Sequence, residues 1–192
     1  GHALPSLTTV AIVGVDEGLH SADFHAGERL AQLIVQVAGR AGRADKPGEV
    51  WLQTHEPDHP LLATLLKGGH AAATALLLGE RLASELPPFA HLALLRAESR
   101  QRDALDGFMA SARGALASIQ RLQPQPARIR IHGPVAAPMP LRAGRHRVQL
   151  LLESTQRAPL RQALATWLPH LHALPQPRGL RWSIDVDPVD LY

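Results

Sequence analysis

The chain has 192 residues, is 45% hydrophobic, carries a formal net charge of +3 and contains no cysteine. That length and apolar content suffice for one large or two small packed domains and exclude global disorder. The missing cysteine excludes disulfides, thiolate metal sites and thiol nucleophiles. No apolar run approaches the roughly 20 residues that span a bilayer, and no charged-then-apolar leader opens the chain. The expectation is a soluble cytoplasmic protein with no membrane partner.

Leu7 to Gly18, LTTVAIVGVDEG, is a β-branched apolar run closed by a glycine-containing turn, and it predicts a buried, parallel strand. Leu30, Leu33, Ile34 and Val37 then recur at i, i+3, i+4 and i+7, the stripe of one helix face. GEVWLQT (Gly48 to Thr54) predicts a second strand, which completes a βαβ unit. Residues 60–86 predict a helix interrupted at Gly68-Gly69 and stopped by Pro87-Pro88, where a domain boundary is placed. From there the pattern runs strand (FAHLALLRAE), helix (RDALDGFMASARGALASIQRL), strand (ARIRIHGPV), strand (RHRVQLLLES), helix (RAPLRQALATWLPHLHAL) and strand (GLRWSIDVD). That order is βαββαβ, the ferredoxin-like split βαβ. The predicted fold is α/β, with residues 1–87 and 88–192 as separate domains.

The charge follows the same division. Residues 1–87 carry six basic and ten acidic side chains; residues 128–192 carry nine arginines against four acids. An asymmetry of this kind points the second half toward an anion, a nucleic acid or an acidic peptide. The run APMPLRAGRHRV (Ala137 to Val148) predicts an arginine-rich loop between strands, suited to a phosphate backbone or a carboxylate. Trp182, beside Arg181, either stacks a base or joins the core.

QVAGRAGR (Gln36 to Arg43) lacks both phosphate-cradling patterns and follows a helical stripe rather than a strand. Two uses stay open. Its arginines reach across a cleft to a phosphate bound elsewhere, or they close a helix whose Gly39 or Gly42 is left-handed. HEPDH (His55 to His59) satisfies the H-E-x-x-H pattern, but Pro57 and Pro60 deny its histidines a common helical face, so a loop leading into a helix is expected.

GHALP, SADF, ERLAQLIVQVAGRAGRADKPGEVWLQT, LPPFAHLALLRAE, GPVAAPMPLRAGRHRVQLLLES and RWSIDVDP occur in this order over essentially the whole chain. Together they resemble the C-terminal part of the PriA family, bacterial replication-restart DNA helicases of superfamily 2. The resemblance implies the end of a second RecA-like lobe followed by the βαββαβ domain. It implies that Gln36, Gly39, Arg40 and Arg43 belong to helicase motif VI and face the γ-phosphate of ATP, Arg40 and Arg43 catalytically. Gly1 and His2 resemble the tail of motif V. Arg142, Arg145 and Arg147 are implied in DNA binding, and Arg157 and Arg161 in binding the acidic tail of single-stranded DNA-binding protein (SSB).

The implied partners are branched and single-stranded DNA, that tail, and other primosome proteins. The implied cofactors are ATP and Mg for the full-length protein, with zinc in a region whose cysteine ligands this chain lacks. His146 and Val148 stand where Tyr and Trp are common in the family, which removes aromatic surface. No P-loop and no D-E-x-H box is present, so the chain is expected to be an inactive fragment of an ATP-dependent, 3′-to-5′ helicase. Its truncated parallel sheet is expected to pair its open edge with a neighbour or to be poorly ordered. The competing expectation is a stand-alone nucleic-acid or ribosome-binding βαββαβ module, which would have no use for the first 54 residues.

Overall fold

The computed structural model describes residues 8–21, 23–43, 46–122 and 129–191. Two compact units divide the chain between Ser84 and Glu85. Gly1 and His2 lie outside the described residues.

The first unit begins with β1 (Thr9–Ile12), α1 (Val15–Leu19) and α2 (Ala26–Ala38). The turn expected at its start is thus a short helix, entered through Gly14 at φ 71°. Two short strands, β2 (Gly42–Arg43) and β3 (Lys46–Pro47), pair antiparallel and lead to β4 (Glu49–Leu52), which pairs parallel with β1. Parallel pairing with α2 in the crossover is what the predicted βαβ order requires. Among the described residues β1 and β4 pair only with each other. They are regular strands, against the expectation of a poorly ordered edge.

Helix α3 (Pro60–Ala83) starts with Pro60 in its first turn, and the His59 ring accepts from the Leu61 N–H at 3.2 Å. HEPDH is therefore the loop and cap expected. Gly69, at φ 71° and ψ −170°, kinks the helix where the Gly68-Gly69 pair predicted a break. Leu30, Ala31 and Ile34 of α2 are buried with Val15 and with Leu61, Leu62, Leu65 and Ala73 of α3. Leu33, expected on that stripe, is 45% exposed, because small Ala31 rather than Leu33 flanks the buried Leu30–Ile34 row. A Cβ on Gly27 would lie 3.1 Å from Leu77 and 3.3 Å from Leu61, so α2 and α3 approach closely there. By length and composition α3 can also cross a bilayer, which corrects the expectation that no apolar stretch is that long. Lys67 and the two glycines interrupt its apolar run in the sequence.

The second unit consists of β5 (His91–Ser99), α4 (Arg102–Leu122), β6 (Arg130–Arg142), β7 (Arg145–Ser154), α5 (Arg157–Ala173) and β8 (Arg181–Val186). The strands form one antiparallel sheet in the order β6-β7-β5-β8. Ala93, Leu95 and Ala97 of β5 and Val148, Leu150 and Leu152 of β7 turn to one face. There they meet Leu105, Met109, Ala112 and Leu116 of α4 and Leu160, Ala163, Trp167 and Leu171 of α5. Trp167 is fully buried, and its indole N–H donates to the Ala112 carbonyl at 2.8 Å. Trp182, partly buried, packs on the same core, its ring 6.2 Å from Phe108, as the core alternative expects.

The arginine-rich segment is a correction. Residues 137–142 are strand, and only Ala143 and Gly144 turn, at φ 48° and 71°. Two positive φ values in a two-residue connection match the hand of the strand twist. Pro138 and Pro140 are tolerated because β6 is an edge strand and its register shifts between Ala136 and Leu141.

Candidate functional site

Three groups of residues proposed from the sequence fall in three places. The first is the end of α2. Gln36 lies exposed in its last turn, and Gly39 caps it with its N–H on the Val35 carbonyl. Gly39 is right-handed, at φ −68°, so the left-handed cap considered for it is not formed. Arg40 is exposed just beyond, its N–H on the Val37 carbonyl. Arg43 follows in β2, whose partner β3 turns the backbone away from a continued helix.

Sequence reasoning did not find the residues that fix the opposite end of this helix. The Asp23 carboxylate is buried; it accepts from the His25 N–H at 2.9 Å and from the Arg29 guanidinium. Burial pushes its pKa upward, but these hydrogen bonds and the Arg29 charge outweigh it and hold the group below the ordinary carboxylate value. Arg81 holds Glu28 at 2.8 Å and covers the Phe24 ring at 5.4 Å. Asp23 and Phe24 of the SADF block thus lie just ahead of α2 and fix its start.

The second place is the β6–β7 hairpin. Arg142 and Arg145 are direct cross-strand partners flanking the Ala143-Gly144 turn, and Arg147 lies two residues along β7. Directly opposed residues and alternate residues share a face, so all three guanidinium-bearing positions lie on one side of the sheet. That side is opposite the one carrying Val148 and the helices. Arg145 donates to the Gly179 carbonyl at 2.8 Å and lies 3.6 Å from Glu98; Arg147 donates to the Met139 carbonyl at 3.5 Å. A cavity of about 330 Å³ opens here, lined by Arg96, Glu98, Arg147 and Arg181.

The third place is the first turn of α5. Arg157 is its first residue, 75% exposed, and meets Asp187 at 3.2 Å. Arg161 stands one turn later. Both line a cavity of about 530 Å³ with Leu160, Leu164, Val186 and Asp187. Two guanidinium groups favour a carboxylate, the place on Arg157 that Asp187 takes here, and the apolar wall suits a side chain beside it. Among the described residues no group of three His, Asp or Glu side chains could hold a metal ion, and no cysteine exists to hold zinc.

The sequence model of the primosomal protein N C-terminal domain matches residues 83–189. Over its whole length the chain is 44% identical to "Replication restart protein PriA" of Haemophilus influenzae, covering 25% of that protein. It is 36% identical to the protein of that name from Treponema pallidum over all of the chain and 28% of the relative. For the Bacillus subtilis relative the figures are 28% identity over 98% of the chain and 23% of the relative. The chain thus spans about a quarter of the length of the curated relatives it matches. The chain belongs to the PriA family and carries that family's C-terminal domain.

Proposed function

We propose that the chain serves replication restart as the C-terminal part of an ATP-dependent, 3′-to-5′ superfamily 2 DNA helicase that acts at branched forks. The observation that carries this is the end-to-end match to proteins named for replication restart. The first unit is then the end of a second RecA-like lobe, and the second unit a ferredoxin-like βαββαβ domain; the parallel β1–β4 pair and the strand order β6-β7-β5-β8 support these assignments. Gln36, Gly39, Arg40 and Arg43 form the motif-VI element; Gln36, Gly39 and Arg40 are exposed at the end of α2, as a group reaching for a phosphate on another lobe must be, and Arg43 follows in β2. When ATP and Mg are bound by that other lobe, they supply the phosphoryl group and the charge neutralisation. The arginines stabilise charge on the transferring group, an effect of roughly 10³–10⁵ in rate for an arginine finger.

Arg142, Arg145 and Arg147 grip the phosphates of branched or single-stranded DNA, and Arg157 and Arg161 the acidic tail of SSB. Other primosome proteins complete the set of partners. In the full-length protein, Arg43→Ala removes DNA-stimulated ATP hydrolysis and leaves nucleotide binding largely intact; unimpaired turnover would take Arg43 out of the catalytic role. The 192-residue chain alone hydrolyses no ATP but binds forked DNA with an affinity that falls steeply with salt. Salt-independent binding would sink the phosphate-gripping role. Arg157→Ala loses the SSB tail peptide without unfolding.

A further inference from the structure

The cross-strand register sets three charged residues in a row. Glu98 of β5 is the direct partner of Arg147 on β7 and of Arg181 on β8. Direct partners share a face, so the row Arg147–Glu98–Arg181 lies on the side away from the helices, beside Arg145 and at the 330 Å³ cavity. One carboxylate oxygen, Glu98 Oε1, serves two guanidinium groups, Arg145 at 3.6 Å and Arg181 at 3.9 Å. Charge-assisted hydrogen bonds of this kind close to about 2.7–2.9 Å, so Glu98 sits between two cations without gripping either. Arg96, further along the same face, is held by Asp185 at 2.8 Å and Asp190 at 3.3 Å. The cationic excess of the row therefore comes from Arg145, Arg147 and Arg181 against Glu98. Arg181 is 71% exposed and able to turn outward.

We propose that Glu98 holds the seat of a nucleic-acid phosphate, and that Arg181 is a phosphate contact which the β6–β7 hairpin alone does not supply. Resting on the assignment of this face to DNA, the proposal adds a brake. An arriving phosphodiester takes Arg145 and Arg181 away from Glu98, and the carboxylate repels it until it does. The row tunes affinity downward, as suits a contact that must be released. A phosphodiester fits better than an acidic peptide, because the row is an open strip across three strands whose cations come from separate elements.

The test is anisotropy titration of a labelled forked DNA with the 192-residue chain over a range of salt. Glu98→Gln keeps the side-chain shape and removes the charge; it tightens binding several-fold at low salt. Arg181→Ala weakens binding and lowers the slope of log K against log salt by about 1, one phosphate contact. In the Arg181→Ala background, Glu98→Gln gains less. Arg181 is exposed, so its variant keeps the test open if Glu98→Gln should not fold. Unchanged affinity and slope in both variants, with salt-dependent binding by the wild type, overturns the proposal and leaves the DNA assignment standing. Absence of DNA binding by the wild type overturns both. Binding of a labelled polyglutamate peptide that needs Arg181, with DNA affinity indifferent to it, gives the row to an acidic peptide and also overturns the proposal.

Discussion

Gly133 is held in place by its neighbours. Its φ is 100°, and a Cβ there would fall 2.9 Å from the Val135 nitrogen and 3.0 Å from the Gln149 carbonyl oxygen. Both are backbone atoms, so neither yields by a rotamer change. Gly133→Ala is expected to cost about 1–3 kcal/mol, read as a lower urea midpoint at unchanged slope. Asp16 carries a different kind of constraint. It accepts from the Thr54 hydroxyl and, at 3.1 and 2.6 Å, from the N–H and Nδ1 of His55. The Thr54 bond first, then those from His55, lower its pKa from 3.8 to about 2. A depressed folded-state value stabilises the fold above the unfolded value, and that contribution is lost as pH falls from about 4 to about 2. Asp23 acts in the same direction. Asp16→Asn should therefore flatten the acid limb of stability against pH; an unchanged limb would show that the Thr54–His55 contacts do not set it. None of this was legible in the sequence, since Thr54 and Asp16 are 38 positions apart and only the β1–β4 pairing brings them together.

At the scale of elements, local pattern and topology contributed differently. Strand β7 and helices α2 and α4 could be read from periodicity, because each buries one side over several turns or pleats, whereas β5, buried on both faces from Leu92 to Leu95, reads as a continuous apolar run. The hairpin could not. Two prolines and a glycine within Ala137 to Val148 predict a loop, and an edge position, which only strand order reveals, lets the same residues run as strand. The basic run was visible; that Arg142, Arg145 and Arg147 share a face with Glu98 and Arg181 needs the register. The turn itself keeps a strained position. Ala143, at φ 48°, has a Cβ where the left-handed region disfavours one, and Gly144 follows it. Asn tolerates that region, and Asn-Gly is the preferred pair for such a turn. Ala143→Asn is expected to raise stability by about 0.5–1 kcal/mol while leaving DNA affinity unchanged. A loss of stability would mean that the turn is not of this type in solution.

For the whole molecule, the two buried clusters fall one in each unit: Val15, the α2 row and the first half of α3 in one, the sheet with α4 and α5 in the other. Separate cores are the physical content of the division between Ser84 and Glu85, three residues before the boundary that the sequence places at Pro87-Pro88. They imply separate cooperativity. Heating the chain should give two transitions, and the larger, sheet-backed cluster should supply the higher one. Trp167 is the sharpest probe. It is fully buried and its indole bonds Ala112 across the helix pair, so truncation leaves a cavity and removes that bond. Trp167→Ala should cost about 3–5 kcal/mol, which in a domain of this size lowers Tm by more than about 10 °C. Only the upper transition should move. Leu62→Ala, in the other cluster, should shift only the lower one. If either substitution moved both transitions together, the chain would unfold as one cooperative body, and the second unit would need the first for its stability.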